Sequence, residues 1–286
     1  MRRALLIALP LLALAATGAQ AQDHASHMGH AMRSEAAADA PATAPAPDAP
    51  KDHAADAYYD PAEMAMARKG LRYEGGGMSN SMLMIDRLEW QPGPGADGYA
   101  WEAEGWTGGD IDRFAFKSKG EGAFGATPEK IEMQAGWLHA IDPWFNVRAG
   151  VRQDFQPRPR RTYGVIAVEG LAPYWFEVEG EVFLSQKGEV TARGEASYDQ
   201  RITQSLILQP RAEVNLSAQD VPELDMGAGL TSVELGLRLR YEIVREFAPY
   251  VGVNWERKLG ETARYARAED ENPGALRFVA GIRFWF

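Results

Sequence analysis

The feature that most constrains the fold is a set of segments in which apolar and polar residues alternate. In residues 275–286, which read ALRFVAGIRFWF, every second residue is apolar, and Arg277 and Arg283 lie on the opposite face. This period of two is that of a β-strand. An uncovered soluble edge strand of this kind would be an aggregation hazard. We therefore expect the apolar face to meet lipid, although the last strand of a soluble sandwich is the alternative.

The same alternation recurs along the chain from Met78 onward. Gly, Pro, Asp and Asn separate about twelve such segments, an even number that suits a bacterial outer-membrane barrel. The predicted strands are 79–91, 98–108, 111–119, 130–141, 144–154, 161–171, 174–185, 189–199, 202–215, 229–242, 247–257 and 275–286. The sequence thus predicts an all-β fold, a transmembrane antiparallel β-barrel of about 12 strands over residues 78–286, preceded by a disordered N-terminal periplasmic tail.

The N-terminus predicts export. Residues 1–21 combine Arg2 and Arg3, a short apolar run and a small-residue cleavage pattern, the features of a secretory signal peptide. No later stretch reaches the roughly 18 apolar residues of a helical span, so a membrane protein of this sequence must be a barrel. The chain has no cysteine, and its net charge is −10. An acidic chain lacks the basic footprint of a nucleic-acid-binding protein and is better suited to cations.

Residues 22–57 form a tail rich in Ala, Pro, Asp and His that is predicted to be disordered. Its first part brings together three imidazoles and two thioethers: His24, His27, Met28, His30 and Met32. Imidazole suits copper, zinc and nickel, and thioether sulfur selects Cu(I). We interpret this segment as a metal-binding site for copper, the alternative being a merely polar tail.

Residues 58–77 predict a short helix followed by a glycine hinge. Asp60 can cap the helix, Pro61 suits its first position, and Gly70 is the expected end. The helix is expected to fold into the barrel mouth as a partial plug or to pack on a partner.

The first predicted strand carries a second candidate metal-binding set. Met82, Met84 and Asp86 share one face, and Arg87 and Glu89 share the other. Either face could be the inward one, because the side-chain period allows two registers. A methionine route from the helix to the lumen is predicted to comprise Met64, Met66, Met78, Met82 and Met84.

Closure of the barrel places the first strand beside the last. With the methionines inward, Arg277 and Arg283 are expected next to Met82, Met84 and Asp86. Asp86 would then have a cationic neighbour, which makes it a poorer copper ligand than the methionines.

The remaining charged residues of the strands are expected to pair across a narrow lumen, which argues against a wide open pore. A general porin is the alternative function. An outer-membrane lipase is a third, and it would need His139, the one histidine of the predicted strands, to be catalytic. Because the chain has no G-x-S-x-G motif, we do not expect an enzyme.

Four stretches together resemble one known family. They are the tail with its His/Met cluster, Tyr58-Tyr59-Asp60-Pro61 with Met64, the methionine-rich first strand with its DRLEW sequence at 86–90, and the alternating barrel that ends in Phe286. This combination resembles the copper resistance protein B family of Gram-negative outer membranes. Many relatives have long repeated His-Met runs, whereas this chain has one short cluster.

The resemblance implies an outer-membrane protein that binds periplasmic copper ions and sequesters or helps export them. It further implies outer-membrane lipid as surroundings and a periplasmic multicopper oxidase as a partner. It also implies that Phe286, with Phe284 and Ile282, is read by the barrel-assembly machinery.

Overall fold

A computed structural model describes residues 53–93 and 96–286. The predicted signal peptide, 1–21, and most of the predicted tail lie outside the described residues. The described strands are β1 (Asn80–Gln91), β2 (Gly98–Gly108), β3 (Asp112–Ala123), β4 (Lys130–Ala140), β5 (Phe145–Gln156), β6 (Arg161–Ala172), β7 (Phe176–Ser185), β8 (Val190–Tyr198), β9 (Gln200–Arg201), β10 (Leu206–Ser217), β11 (Gly229–Tyr241), β12 (Phe247–Lys258) and β13 (Gly274–Trp285).

These strands form one closed antiparallel sheet. Each long strand pairs with its neighbours in the chain, and the short β9 continues the pairing of β8 with β10. The sheet closes where β1 pairs with β13, with Met84 opposite Trp285. The Leu83 N–H donates to the Phe286 carbonyl at 2.9 Å, and the Phe286 N–H donates to the Leu83 carbonyl at 3.0 Å. The predicted barrel of twelve long strands is confirmed, as is the pairing of its first and last strands.

The barrel is apolar outside and charged inside. On β13, Leu276 and Phe278 are 64% and 67% exposed, whereas charged residues such as Glu132 and Arg148 are 1% and 2% exposed. This distribution is the reverse of that in a soluble protein and is the one required of strands that face lipid. Among the described residues, no helix is long and apolar enough to cross a membrane.

Helical segments are short and lie outside the strands. They are η1 (Ala54–Ala57), α1 (Pro61–Gly75), η2 (Pro173–Trp175), η3 (Pro222–Leu224) and α2 (Gly260–Ala268). The Asp60 side chain caps α1 as predicted, accepting hydrogen bonds from the backbone N–H groups of Ala62 and Glu63. The predicted end at Gly70 is wrong, because a single glycine costs a helix only about 1 kcal/mol and α1 continues to Gly75. No residue of α1 is buried, and the plug stays a prediction.

The two rims of the barrel differ. The rim at which β1 begins and β13 ends, here called the terminal end, has short connections such as 109–111 and 173–175. The opposite rim, the loop end, has the two longest connections, 218–228 and 259–273, and the second contains α2. Because outer-membrane barrels have short periplasmic turns and longer extracellular loops, the terminal end is the periplasmic one.

Candidate metal-binding vestibule

A β-bulge in β1 determines which side chains reach the lumen. Ile85 pairs with Ala103 and Arg87 pairs with Glu102, so Asp86 is an extra residue without a partner on β2. A bulge bends the strand and re-aims the side chains around it. As a result, the two adjacent charged residues Asp86 and Arg87 both point into the barrel.

The bulge resolves the choice between the two predicted registers of β1. Before it, the Met84 Sδ faces inward and accepts a hydrogen bond from Arg283 Nη2 at 3.2 Å. After it, the Arg87 Nη2 lies 2.7 Å from a Glu102 carboxylate oxygen, and Glu89 is buried. Both sets of residues therefore face the lumen, an outcome that a regular strand does not permit.

A cavity of about 360 Å³, here called the terminal vestibule, lies at this end of the lumen. Met84 lines it, and Met82 lies one pleat nearer the rim, half-buried and opposite Trp106 of β2. Trp144, from the turn before β5, contributes to the wall. Of the predicted β1 methionines, Met84 therefore lines the vestibule, and Met82 lies on the same face of the strand, nearer the rim.

Carboxylates dominate the lining of the terminal vestibule. Its acidic residues are Asp86, Glu102, Glu104, Glu169, Glu177, Glu179 and Glu195, and its cationic residues are Lys117, Arg211 and Arg283. Most of the acids are paired, but the ion pair of Glu104 with Lys117 is long, at 3.6 Å, and Glu177 is held by the Ser197 hydroxyl at 3.2 Å. A cleft lined by excess negative charge raises the local concentration of cations.

Arg283 lies between the two candidate ligands of β1. Its Nε is 3.0 Å from Asp86 Oδ1, and its Nη2 contacts Met84. The expectation for this arginine is confirmed. The expectation for Arg277 is wrong, because its Nη1 contacts Gln91 Oε1 at 3.4 Å near the loop end. Six residues of extended strand separate the two arginines by about 20 Å.

Deeper in the lumen than the terminal vestibule, buried ion pairs fill the barrel. Arg193 lies 2.8 Å from Glu132, 3.3 Å from Glu181 and 3.6 Å from Glu213. The central network is defined here as Lys119, Glu132, Arg148, Glu181, Arg193 and Glu213, from six different strands. All six are buried. The predicted pairing of interior charges is therefore confirmed.

Beyond the central network lies a second cavity of about 800 Å³ at the loop end. The helix α2 borders it, and the Thr262 hydroxyl of that helix accepts a hydrogen bond from the Gly227 N–H at 2.9 Å. Lys119, Glu132, Arg148 and Glu181 line neither cavity. The described lumen is therefore two vestibules separated by charged side chains.

The other predicted metal-binding residues lie apart from the vestibule or outside the described residues. On and after α1, Met64 is half-exposed, Met66 is 67% exposed and Met78 is 54% exposed. The tail residues His24, His27, Met28, His30 and Met32 lie outside the described residues. Within 53–93 and 96–286, no group of three His, Asp or Glu residues is arranged to hold a metal.

His139 lies on the outer face at the terminal end. Its Nδ1 is 2.8 Å from Asp112 Oδ1, which also accepts a hydrogen bond from Trp137 Nε1 at 2.9 Å. The imidazole is 4.9 Å from the Trp137 ring. Trp137, Asp112 and His139 together form the kind of amphipathic aromatic cluster that lies at a membrane interface.

Sequence reasoning missed several residues of the site. Lys117 and Lys119 belong to the lumen, and their alternation with Phe114 and Phe116 in β3 was the available signal. Asp199 lies 4.0 Å from Arg283. It could not be assigned to the lumen from the sequence pattern, because it lies in the break between β8 and β9.

A model of one protein family, described as copper resistance protein B precursor (CopB), matches residues 79–286. The chain belongs to the copper resistance protein B family. A copper resistance protein B homolog of Pseudomonas syringae pv. tomato is 41% identical over 271 residues, which are 95% of this chain and 89% of that protein. Copper resistance protein B of Escherichia coli is 46% identical over 207 residues, which are 72% of this chain and 70% of that protein.

Solved structures with a similar arrangement of strands include two porins. The NanC porin has a TM-score of 0.47 at 12% identity and covers 71% of this chain and 98% of its own. The KdgM porin has a TM-score of 0.44 at 12% identity, with 72% and 99% covered.

Family membership and the barrel agree on location. A copper resistance protein B whose closed barrel is apolar outside is a protein of the outer membrane. The family's description as a precursor supports the predicted signal peptide. That description names copper resistance and no catalytic activity.

Proposed function

We propose that this protein binds periplasmic copper ions in the terminal vestibule and sequesters them there. The observation that carries the proposal is the inward-facing Met84 thioether in an acidic cavity that opens at the terminal end. Copper resistance is the family's function, and a soft donor at the periplasmic rim supports a direct role in holding the ion.

The donor set favours copper in its monovalent form. Thioether sulfur is a soft ligand that selects Cu(I) over harder divalent ions. Met82 and Met84 are two residues apart on one face of β1, so their Cα atoms are about 7 Å apart and both side chains can reach one ion. The carboxylates around them supply long-range attraction rather than the preferred ligands.

The central network favours sequestration over free passage. Arg193 and its partners fill the lumen between the two vestibules, and each charge in the network has a partner within 3.8 Å. An ion held at Met84 therefore meets a charged barrier on its way outward. Assisted export would require these ion pairs to separate.

The N-terminal segment is proposed to capture copper before the barrel does. His24, His27 and His30 with Met28 and Met32 supply the donors, and exposed Met66 and Met78 lie between that segment and β1 in the chain. A periplasmic multicopper oxidase is the proposed partner in copper tolerance. The barrel-assembly machinery is the proposed partner during insertion.

Copper(I) titration of the purified mature protein against a chromophoric chelator tests the proposal. The variant Met82→Leu with Met84→Leu should lose one binding equivalent, and deletion of residues 22–57 should remove a separate one. Met133→Leu is the matched control, because Met133 lies on the outer face of β4 and is 51% exposed. Unchanged stoichiometry in the double variant would contradict the proposed site.

A further inference from the structure

We propose that Arg283 is a built-in competitor for the copper site. Its guanidinium takes the position of a cation between Met84 and Asp86, so copper can bind there only when Arg283 moves aside. The inference rests on the proposed function of the vestibule and concerns how its affinity is set.

The contacts of Arg283 are those that a copper ion would make. Nη2 lies 3.2 Å from the Met84 Sδ, and Nε lies 3.0 Å from Asp86 Oδ1. A thioether is a weak hydrogen-bond acceptor, so Met84 is a poor partner for a guanidinium. The arrangement therefore leaves the best soft ligand of the vestibule in contact with a hard cation.

Arg283 is incompletely held in this position. The Arg283 Nε is buried and lies 3.0 Å from Asp86 Oδ1. The angle of this contact is poor, so Nε has no well-aligned hydrogen-bond acceptor among the described residues. A poorly aligned hydrogen bond recovers only part of the desolvation cost of a buried donor, and a better-aligned partner would recover more. The guanidinium therefore gains by finding another carboxylate.

Asp199 provides that carboxylate. Its Oδ2 lies 4.0 Å from Arg283 Nη1 and also contacts Arg240. Its Oδ1 is buried and, within the described part of the chain, has no hydrogen-bond partner. A rotation of Arg283 toward Asp199 would give Asp199 Oδ1 a partner and leave Met84 and Asp86 free. The structure thus contains both the starting position of the arginine and an acceptor for its displaced position.

This exchange would set a threshold for copper. While Arg283 occupies the site, its positive charge repels an incoming copper ion. Only a raised copper concentration therefore fills the vestibule. When the ion leaves, Arg283 returns. The apparent affinity for copper is reduced by the fraction of molecules in which Arg283 has left the site.

The test is the copper(I) affinity of the full mature protein carrying Arg283→Gln. We expect binding roughly tenfold or more tighter than in the wild type, the gain for a site that Arg283 leaves free in about one molecule in ten. Arg283→Lys keeps the charge and should remain near the wild-type affinity. Arg277→Gln is the matched control, because Arg277 is an inward arginine of the same strand that contacts Gln91 instead. A gain in affinity cannot arise from misfolding.

Two further variants separate the inference from the proposed function. Asp199→Asn should weaken copper binding, because the displaced arginine loses its acceptor. Adding Met84→Leu to Arg283→Gln should abolish the gain. If the β1 methionines are required for binding but Arg283→Gln binds no tighter, the competitor role is overturned and the copper site stands. If the double variant Met82→Leu, Met84→Leu leaves copper binding unchanged, both the proposed copper site and the competitor role of Arg283 are refuted.

Discussion

Removal of Arg193 from the central network should destabilise the barrel strongly. The guanidinium lies 2.8 Å from Glu132 and 3.3 Å from Glu181, and all three side chains are almost fully buried. Arg193→Met keeps most of the volume and leaves three carboxylates, Glu132, Glu181 and Glu213, without this partner. Breaking a buried ion pair from one side costs about 3–5 kcal/mol. Arg152, 3.0 Å from Glu132, compensates in part, so we expect about 3 kcal/mol.

The assay is reversible urea unfolding of the barrel in lipid vesicles, followed by tryptophan fluorescence. Lys258→Met is the matched control, because Lys258 pairs with Glu271 at 3.0 Å but their side chains are 38% and 56% exposed. An exposed pair contributes no more than about 1 kcal/mol. If Arg193→Met lowers the free energy of unfolding no more than Lys258→Met does, the central network does not stabilise the lumen as described.

Three further outcomes are expected. Liposomes containing the wild-type protein should swell slowly in uncharged sugars, and the double variant Arg148→Ala, Arg193→Ala should make them swell faster. Fast swelling with the wild-type protein would favour a general porin. Asp60→Ala should cost α1 about 1 kcal/mol, seen as faster amide exchange in Pro61–Gly75 with no change in the barrel. Leu83→Pro removes the backbone N–H that donates to the Phe286 carbonyl where β1 pairs with β13. The fraction of folded protein, which migrates faster on unheated gels, should fall. An unchanged folded fraction would show that this hydrogen bond is dispensable.

Most of the barrel could be predicted because its pattern has a single physical cause. Because one face of each strand meets lipid and the other meets the charged lumen, apolar and polar residues alternate along every long strand. Predicted strands such as 98–108 and 130–141 agree with the structure to within one residue at each end. The prediction of 202–215 began too early, since Thr203 lies in the turn before β10. The helix α2 was missed because it has only nine residues and Leu259, at its N-cap, gives no capping signal.

The site was less predictable than the fold. Alternation alone made the faces of Met84 and Arg87 mutually exclusive, and the bulge at Asp86 places both inside. A bulge shifts the phase of the alternation, here at the adjacent charged residues Asp86 and Arg87, but two adjacent charges also fit a regular strand with one of them outside. The pairing with β2 is what identifies the bulge. The contact of Arg283 with Met84 was predictable because barrel closure fixes which strands meet.

Copper K-edge absorption of the mature protein loaded with one equivalent of Cu(I), after removal of residues 22–57, tests the central claim most directly. We expect sulfur scattering from Met82 and Met84 in the wild type and in Met133→Leu. That signal should be lost in Met82→Leu with Met84→Leu. A spectrum with only nitrogen or oxygen neighbours, or one that the double variant leaves unchanged, would contradict copper binding by the terminal vestibule.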